Sequence, residues 1–378
     1  MAHRAQRKRG KLVASLTLAL AAAGYNAEAG TAASSRAIAP DAVRAVMTRV
    51  ADWQLARPSQ YAPTDWTQAV FYAGVMALAG MAETPKYHDA MMAVGRQTGW
   101  EPGPRLYHAD DHAVSQTYLD LFVQHRDPQM LAPTRARFDA ILATPPDDDL
   151  DFTKPAATNK WSWCDALFMA PPAWAQVAAA TGGQQYLDFM HRQWWVTTDY
   201  LYSKADHLYF RDSRFFHRRE ANGNKIFWSR GNGWVLSGLV RVLRVMPADY
   251  PHRPRYLTLL KDLAANVTAL QGRDGLWRAS LLDPATYPAP ETSGTGLFVY
   301  ALAWGVNHGA LDAARYRPIV EKGWRGLVGA VEADGRLGWV QPIAEGPQKI
   351  SAATSEVYGV GAFLLAGSEV FRMMQHGH

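Results

Sequence analysis

The chain of 378 residues contains one cysteine, Cys164, so no disulfide can form within it, and its stability must come from a large core rather than from cross-links. Charged residues make up only 19% of the chain. Five of the 39 basic residues, Arg4, Arg7, Lys8, Arg9 and Lys11, and one of the 34 acidic residues, Glu28, lie within the first 29 positions, and the remainder is nearly neutral. Such a balance gives no electrostatic support to nucleic-acid binding. Runs that alternate apolar and polar residues are nearly missing, which argues against a sheet protein. No ligand spacing typical of zinc or calcium is present, and no metal or cofactor is expected.

What the chain does have begins with a basic start, an apolar stretch over 12–24 and the small-x-small pattern Ala27-Glu28-Ala29. The apolar stretch is too short to span a bilayer, so residues 1–29 read as a cleaved signal peptide and 30–378 as one domain, periplasmic or secreted, with no membrane contact once the leader is removed.

Beyond the leader, apolar residues recur at three- and four-residue steps. One-sided patterns over 41–56, 85–100, 128–143, 184–202, 254–271 and 314–331 predict helices with a solvated face. Between them, 68–82, 113–125, 166–181, 233–246, 296–306 and 357–374 are apolar or small nearly all round, as fully buried helices are. The two kinds alternate strictly. Stacked helical hairpins of this kind fit an (α/α)6 barrel, six inner helices inside six outer ones. Connections from inner to outer helix are short, whereas those from outer to inner are long, and in an up-down ring the long ones gather at one end. Trp66, Trp161, Trp163, Trp228, Trp234, Trp277 and Trp339 fall there, which predicts a cleft walled by aromatic rings.

Three stretches at that end hold residues able to do chemistry. In His108-Ala-Asp-Asp-His112 a metal site is one reading, but adjacent helical residues point in different directions. One of Asp110 and Asp111 is expected to cap the helix and the other to face the cleft. In Trp161-Ser-Trp-Cys-Asp165 a carboxyl among tryptophans is desolvated, which raises its pKa and suits a general acid, although an N-cap remains an alternative. The third stretch, 210–234, places Arg211, Arg214 and Arg230 among aromatics. A buried guanidinium needs a partner: either an anionic ligand or an internal ion pair with Asp212 or Asp110.

The strings Ala109-Asp-Asp-His-Ala-Val-Ser-Gln-Thr-Tyr118, Trp161-Ser-Trp-Cys-Asp-Ala-Leu-Phe-Met-Ala-Pro-Pro172, Trp228-Ser-Arg-Gly-Asn-Gly-Trp234 and Glu291-Thr-Ser-Gly-Thr-Gly296 resemble those of glycoside hydrolase family 105, the unsaturated rhamnogalacturonyl hydrolases. The resemblance implies an (α/α)6 barrel. It also implies release of a 4,5-unsaturated galacturonic acid from the non-reducing end of rhamnogalacturonan fragments, with an unsaturated glucuronyl residue from another lyase-cleaved polysaccharide such as ulvan as the alternative substrate. By the same resemblance Asp165 is the general acid and base, one of Asp110 or Asp111 is the second active-site carboxylate, and Trp163, Arg230 and Trp234 contact the sugar. Trp66, His112 and Arg211 complete the substrate-binding candidates, Arg211 standing where another branch of the family carries a histidine. A non-catalytic helical sugar-binding protein is the remaining reading.

Overall fold

Prolines open several helices: Pro40, Pro133, Pro171 and Pro254 all lie in first turns, where a missing N–H loses no hydrogen bond. The computed structural model describes residues 38–375, so the expected leader over 1–29 lies outside the described residues. In chain order come α1 (Pro40–Leu55), α2 (Trp66–Ala79), α3 (Lys86–Thr98), α4 (Ala109–His112), α5 (Ser115–His125), α6 (Ala132–Ala143) and α7 (Ala166–Met169). They are followed by α8 (Pro171–Thr181), α9 (Gln184–Leu201), α10 (Ser229–Val245), α11 (Arg253–Ala269), α12 (Thr292–Asn307), α13 (Ala313–Gly329) and α14 (Val357–Gln375). Two short hairpins, β1 (Tyr202–Ser203) with β2 (Leu208–Tyr209) and β3 (Trp277–Arg278) with β4 (Pro290–Glu291), decorate the long-loop end.

The helix α2, the pairs α4/α5 and α7/α8, and the helices α10, α12 and α14 pack in that order as the inner ring, and α14 returns against α2 to close it. Burial follows the sequence pattern. In α12 every residue from Thr292 to Gly305 is buried, whereas in α13 only Tyr316, Val320, Gly323, Trp324 and Leu327 are. The last helix, α14, is apolar over 19 residues and is enclosed by its neighbours. The ring closes at two glycines. A Cβ on Gly361 would lie 2.3 Å from the Val70 carbonyl oxygen, and one on Gly74 would lie 2.6 Å from that of Gly361. Only hydrogen at both positions lets α2 and α14 approach this closely.

The expected barrel is therefore present, with one refinement: the second and third inner helices are each broken in two. The second break has a chemical cause. In an unbroken helix the Phe168 carbonyl would accept the N–H of residue 172, which as proline has none. Gln116 supplies the missing donor from the neighbouring inner helix, its Nε2 bonding the carbonyls of Phe168 (2.8 Å) and Met169 (3.2 Å). Its Oε1 in turn accepts from Arg241 Nε at 2.6 Å. The short segment α7 can then start at its own angle, with Asp165 at its head.

Candidate active site

The inner helices begin around a cavity of about 630 Å³. Asp165 enters it from the residue before α7, with helical backbone angles and no capping hydrogen bond, so its carboxyl is not used to hold the helix. Cys164 Sγ donates to Asp165 Oδ1 at 3.3 Å, and Cys164 N donates to the Arg211 carbonyl at 2.8 Å, tying this turn to the arginine loop. Burial pushes the Cys164 thiol well above its ordinary pKa, so it acts as a donor rather than a nucleophile. Burial likewise raises Asp165, against the pull of Arg211, the Cys164 thiol and Arg230.

Asp110, in the first turn of α4, lines the same cavity. Burial and then repulsion from Asp165 push its pKa up to about 7. Two recessed carboxyls, both raised by burial, thus face the cavity, and the charge of Asp165 is one cause of the rise at Asp110. The Nδ1 atom of His108 lies 3.8 Å from Asp110 Oδ2 and has no hydrogen-bond partner, and its imidazole is lowered to about 4 by burial and Arg105, so it is neutral.

Adjacent Asp111 points elsewhere. Its carboxylate accepts from the backbone N–H (2.5 Å), Nε (3.1 Å) and Nη2 (2.6 Å) of Arg105. This corrects the open choice made from sequence: Asp110 faces the cleft, and Asp111 fixes the loop before α4 without capping it. Gly103 permits the arrangement, since a Cβ there would sit 2.5 Å from Asp111 Cγ. We therefore expect Asp111→Asn to lose about 2 kcal/mol of stability through its charge-assisted hydrogen bonds, with kcat within threefold of wild type. Urea denaturation beside steady-state rates checks both numbers.

His112 is also displaced from its expected role. Its Nε2 donates to the Leu106 carbonyl at 2.9 Å, its ring packs on Phe138 and Trp174, and burial lowers its pKa to about 4. It is a core residue, and with Asp111 turned to Arg105 the pair does not converge with His108 on a metal position.

The remaining candidates do gather. Trp66 and Trp234, which the structure puts at the start of α2 and in the second turn of α10 rather than in loops, meet edge to face at 6.3 Å, and Trp66 stacks on Tyr358 at 5.1 Å. Trp163 lies across from them under the His108 ring. Arg211 and Arg214 settle on the ion-pair alternative: both bind buried Asp212, and Glu345 reaches them at 3.6 and 2.9 Å.

Arg230 differs, because it forms no ion pair among the described residues. Its Nη1 donates to the Gln341 carbonyl (2.5 Å) and Tyr358 Oη (3.1 Å), its Nη2 donates to the Pro342 carbonyl (3.1 Å), and its charge faces the rings of Trp228 and Tyr358. The Nε atoms of both Arg211 and Arg230 are buried without a partner. A cation held by neutral carbonyls keeps its charge for an incoming anion.

Trp228 walls the cavity as expected of the tryptophans at this end, whereas Phe152 and the segment 343–345 were missed as cavity walls, and His108 was named only in the stretch weighed as a metal site. The segment 343–345 carries no motif.

The model of Glycosyl Hydrolase Family 88 matches residues 39–374. The chain belongs to that family. It is thus a glycoside hydrolase. It is 42% identical over 344 residues to an unsaturated 3S-rhamnoglycuronyl hydrolase of Formosa agariphila, covering 88% of this chain and 91% of that one. It is 39% identical over 317 residues to a protein of the same name from an Alteromonas species, covering 81% of this chain and 77% of the relative. Among solved structures, a glycosyl hydrolase family 88 protein from Bacteroides vulgatus superposes with a TM-score of 0.80 at 30% identity, over 89% of this chain and 99% of that one.

Proposed function

We propose that the protein removes a 4,5-unsaturated uronic acid from the non-reducing end of rhamnose-containing oligosaccharides left by a polysaccharide lyase, in the manner of family 105. The observation that carries this is that two buried carboxyls with raised pKa, Asp165 and Asp110, line one cavity with a guanidinium, Arg230, that has no acidic partner among the described residues. Such a substrate joins an enol ether to a carboxylate. Arg230 and Arg211 hold the carboxylate, and Trp66, Trp163 and Trp234 offer flat faces to the ring.

Binding also tunes the acid. Arg211 and Arg230 hold the Asp165 pKa down against burial, and a bound carboxylate offsets their charge, so Asp165 is favoured in its protonated form. Asp165 then protonates C4, leaving positive charge at C5 shared with the ring oxygen and faced by ionised Asp110. Water adds at C5 and returns a proton to Asp165. The hemiketal opens, and the hemiacetal left at C1 expels the partner sugar. The route hydrates a double bond and needs no pair of carboxylates spaced for ordinary glycoside displacement.

Between rhamnogalacturonan and ulvan-type fragments, the two relatives named for a rhamnoglycuronyl substrate favour the second. The protein is expected to abolish the ultraviolet absorbance of the double bond in lyase-cut ulvan faster than in lyase-cut rhamnogalacturonan. Flat traces with both would remove the proposed activity.

A further inference from the structure

Beyond the catalytic cavity lies a second one, of about 460 Å³, and the two share a wall made of Ile343, Ala344 and Glu345. The wall is fixed from behind. Gln341 Oε1 accepts from Trp228 Nε1 (3.1 Å) and Gln348 N (3.3 Å), while its Nε2 donates to the Gly346 carbonyl at 3.0 Å. Glu345 is neutralised by Arg211 and Arg214. Ile343, in this wall, is 47% exposed.

The second cavity has polar groups of its own, with Ser280 bonding the Glu220 carboxyl and Arg218 acting on its charge. Arg218 lies over the Phe215 ring at 4.6 Å and forms no ion pair among the described residues. Glu220 lines the same space, and its Oε1 is buried without a hydrogen-bond partner. Tyr287 and Gln348 complete the polar lining. An aromatic-backed guanidinium, an unfilled acceptor and a neighbouring phenol form a set suited to a hydroxylated ring bearing an oxyanion, and the volume is ample for such a ligand.

We propose that this cavity is a subsite for a sugar beyond the first on the leaving side of the substrate, with Arg218 taking that sugar's sulfate ester or carboxylate and Glu220 accepting one of its hydroxyls. The assignment rests on the activity proposed above and names where the rest of the oligosaccharide goes. An oligosaccharide whose unsaturated end lies at Asp165 extends past Ile343 into it.

The test compares an unsaturated disaccharide, which fills the catalytic cavity alone, with the unsaturated tetrasaccharide of the same lyase digest of ulvan, before and after chemical desulfation. Arg218 is exposed and Glu220 is only partly buried, so Arg218→Ala and Glu220→Gln should fold. Each is expected to raise KM for the tetrasaccharide about tenfold, the loss of one charge-assisted hydrogen bond, with kcat and all disaccharide constants unchanged. If desulfation abolishes the effect of Arg218→Ala, the anion is the sulfate; if the effect persists, it is the carboxylate. Equal effects of both variants on the two lengths, or none on either, overturn the subsite while leaving the activity intact. Wild-type protein that turns over neither length overturns the activity itself, and the subsite falls with it.

Discussion

Asp165→Asn is expected to lose at least about 10⁴-fold in kcat on an unsaturated uronide while still binding it. General acid-base groups contribute about 10² to 10⁴, and here one carboxyl serves two proton transfers, so the loss lies at or beyond the upper end. Binding persists because Arg230 is held by the carbonyls of Gln341 and Pro342, which the substitution does not touch. Tryptophan fluorescence is the natural readout, with Trp66, Trp163 and Trp234 all in the cavity.

The same substitution should make the protein slightly more stable at neutral pH. An acid whose folded pKa lies above its unfolded value opposes folding once pH exceeds the unfolded value, and Asn removes that opposition. The titration of Asp110, raised to about 7 in part by Asp165, should then move down as the repulsion is lost. Turnover by Asp165→Asn within tenfold of wild type would show that Asp110 is the acid.

Gly361→Val is expected to be the most damaging single change outside the cavity. The new Cβ would stand 2.3 Å from the Val70 carbonyl oxygen, 2.6 Å from its carbon and 2.8 Å from Phe71 Cα. All three are helix backbone, so no side chain can rotate away and α2 itself must retreat. Overpacking of this kind costs about 3 kcal/mol or more when backbone has to shift, and here the shift opens the ring. Gly329→Ala is the control: nothing lies within 4 Å of its Cβ position at the end of α13, so stability should hold or rise by about 0.5 kcal/mol. The two variants compared by denaturant melts decide the point. A Gly361→Val midpoint equal to that of wild type would mean that α2 and α14 are not locked together as described.

How far the sequence could be read depended on whether a residue acts through its type or through its position. Burial on every side, as in α12, is written in composition, and so the ring was legible helix by helix. The break at Pro171-Pro172 was not read, since 166–181 was taken as one buried helix, and the donor that makes the break tolerable, Gln116, stands on another helix, where no local pattern points to it. Asp110 and Asp111 could not be told apart, because what separates them is Arg105, in a loop without period. His112 belonged to a recognised string and still faces the core, since neighbours on a helix turn in different directions. The segment 341–348 left no trace in the residue types. It binds Arg230 through main-chain carbonyls, which every amino acid possesses.

The contact between Gly74 and Gly361 also sets the order in which the molecule can assemble. About three quarters of the chain of 378 residues separates these two glycines, so the ring cannot shut until its last helix has emerged from the ribosome. Until then α2 exposes the flank that α14 will cover, including Val70 and Phe71, and the chain must survive with that seam open. Contacts of such long sequence separation slow folding and prolong the exposure of apolar surface. A nascent chain stopped before residue 357 therefore has no means of finishing its core, and it is expected to be the aggregation-prone species of this protein.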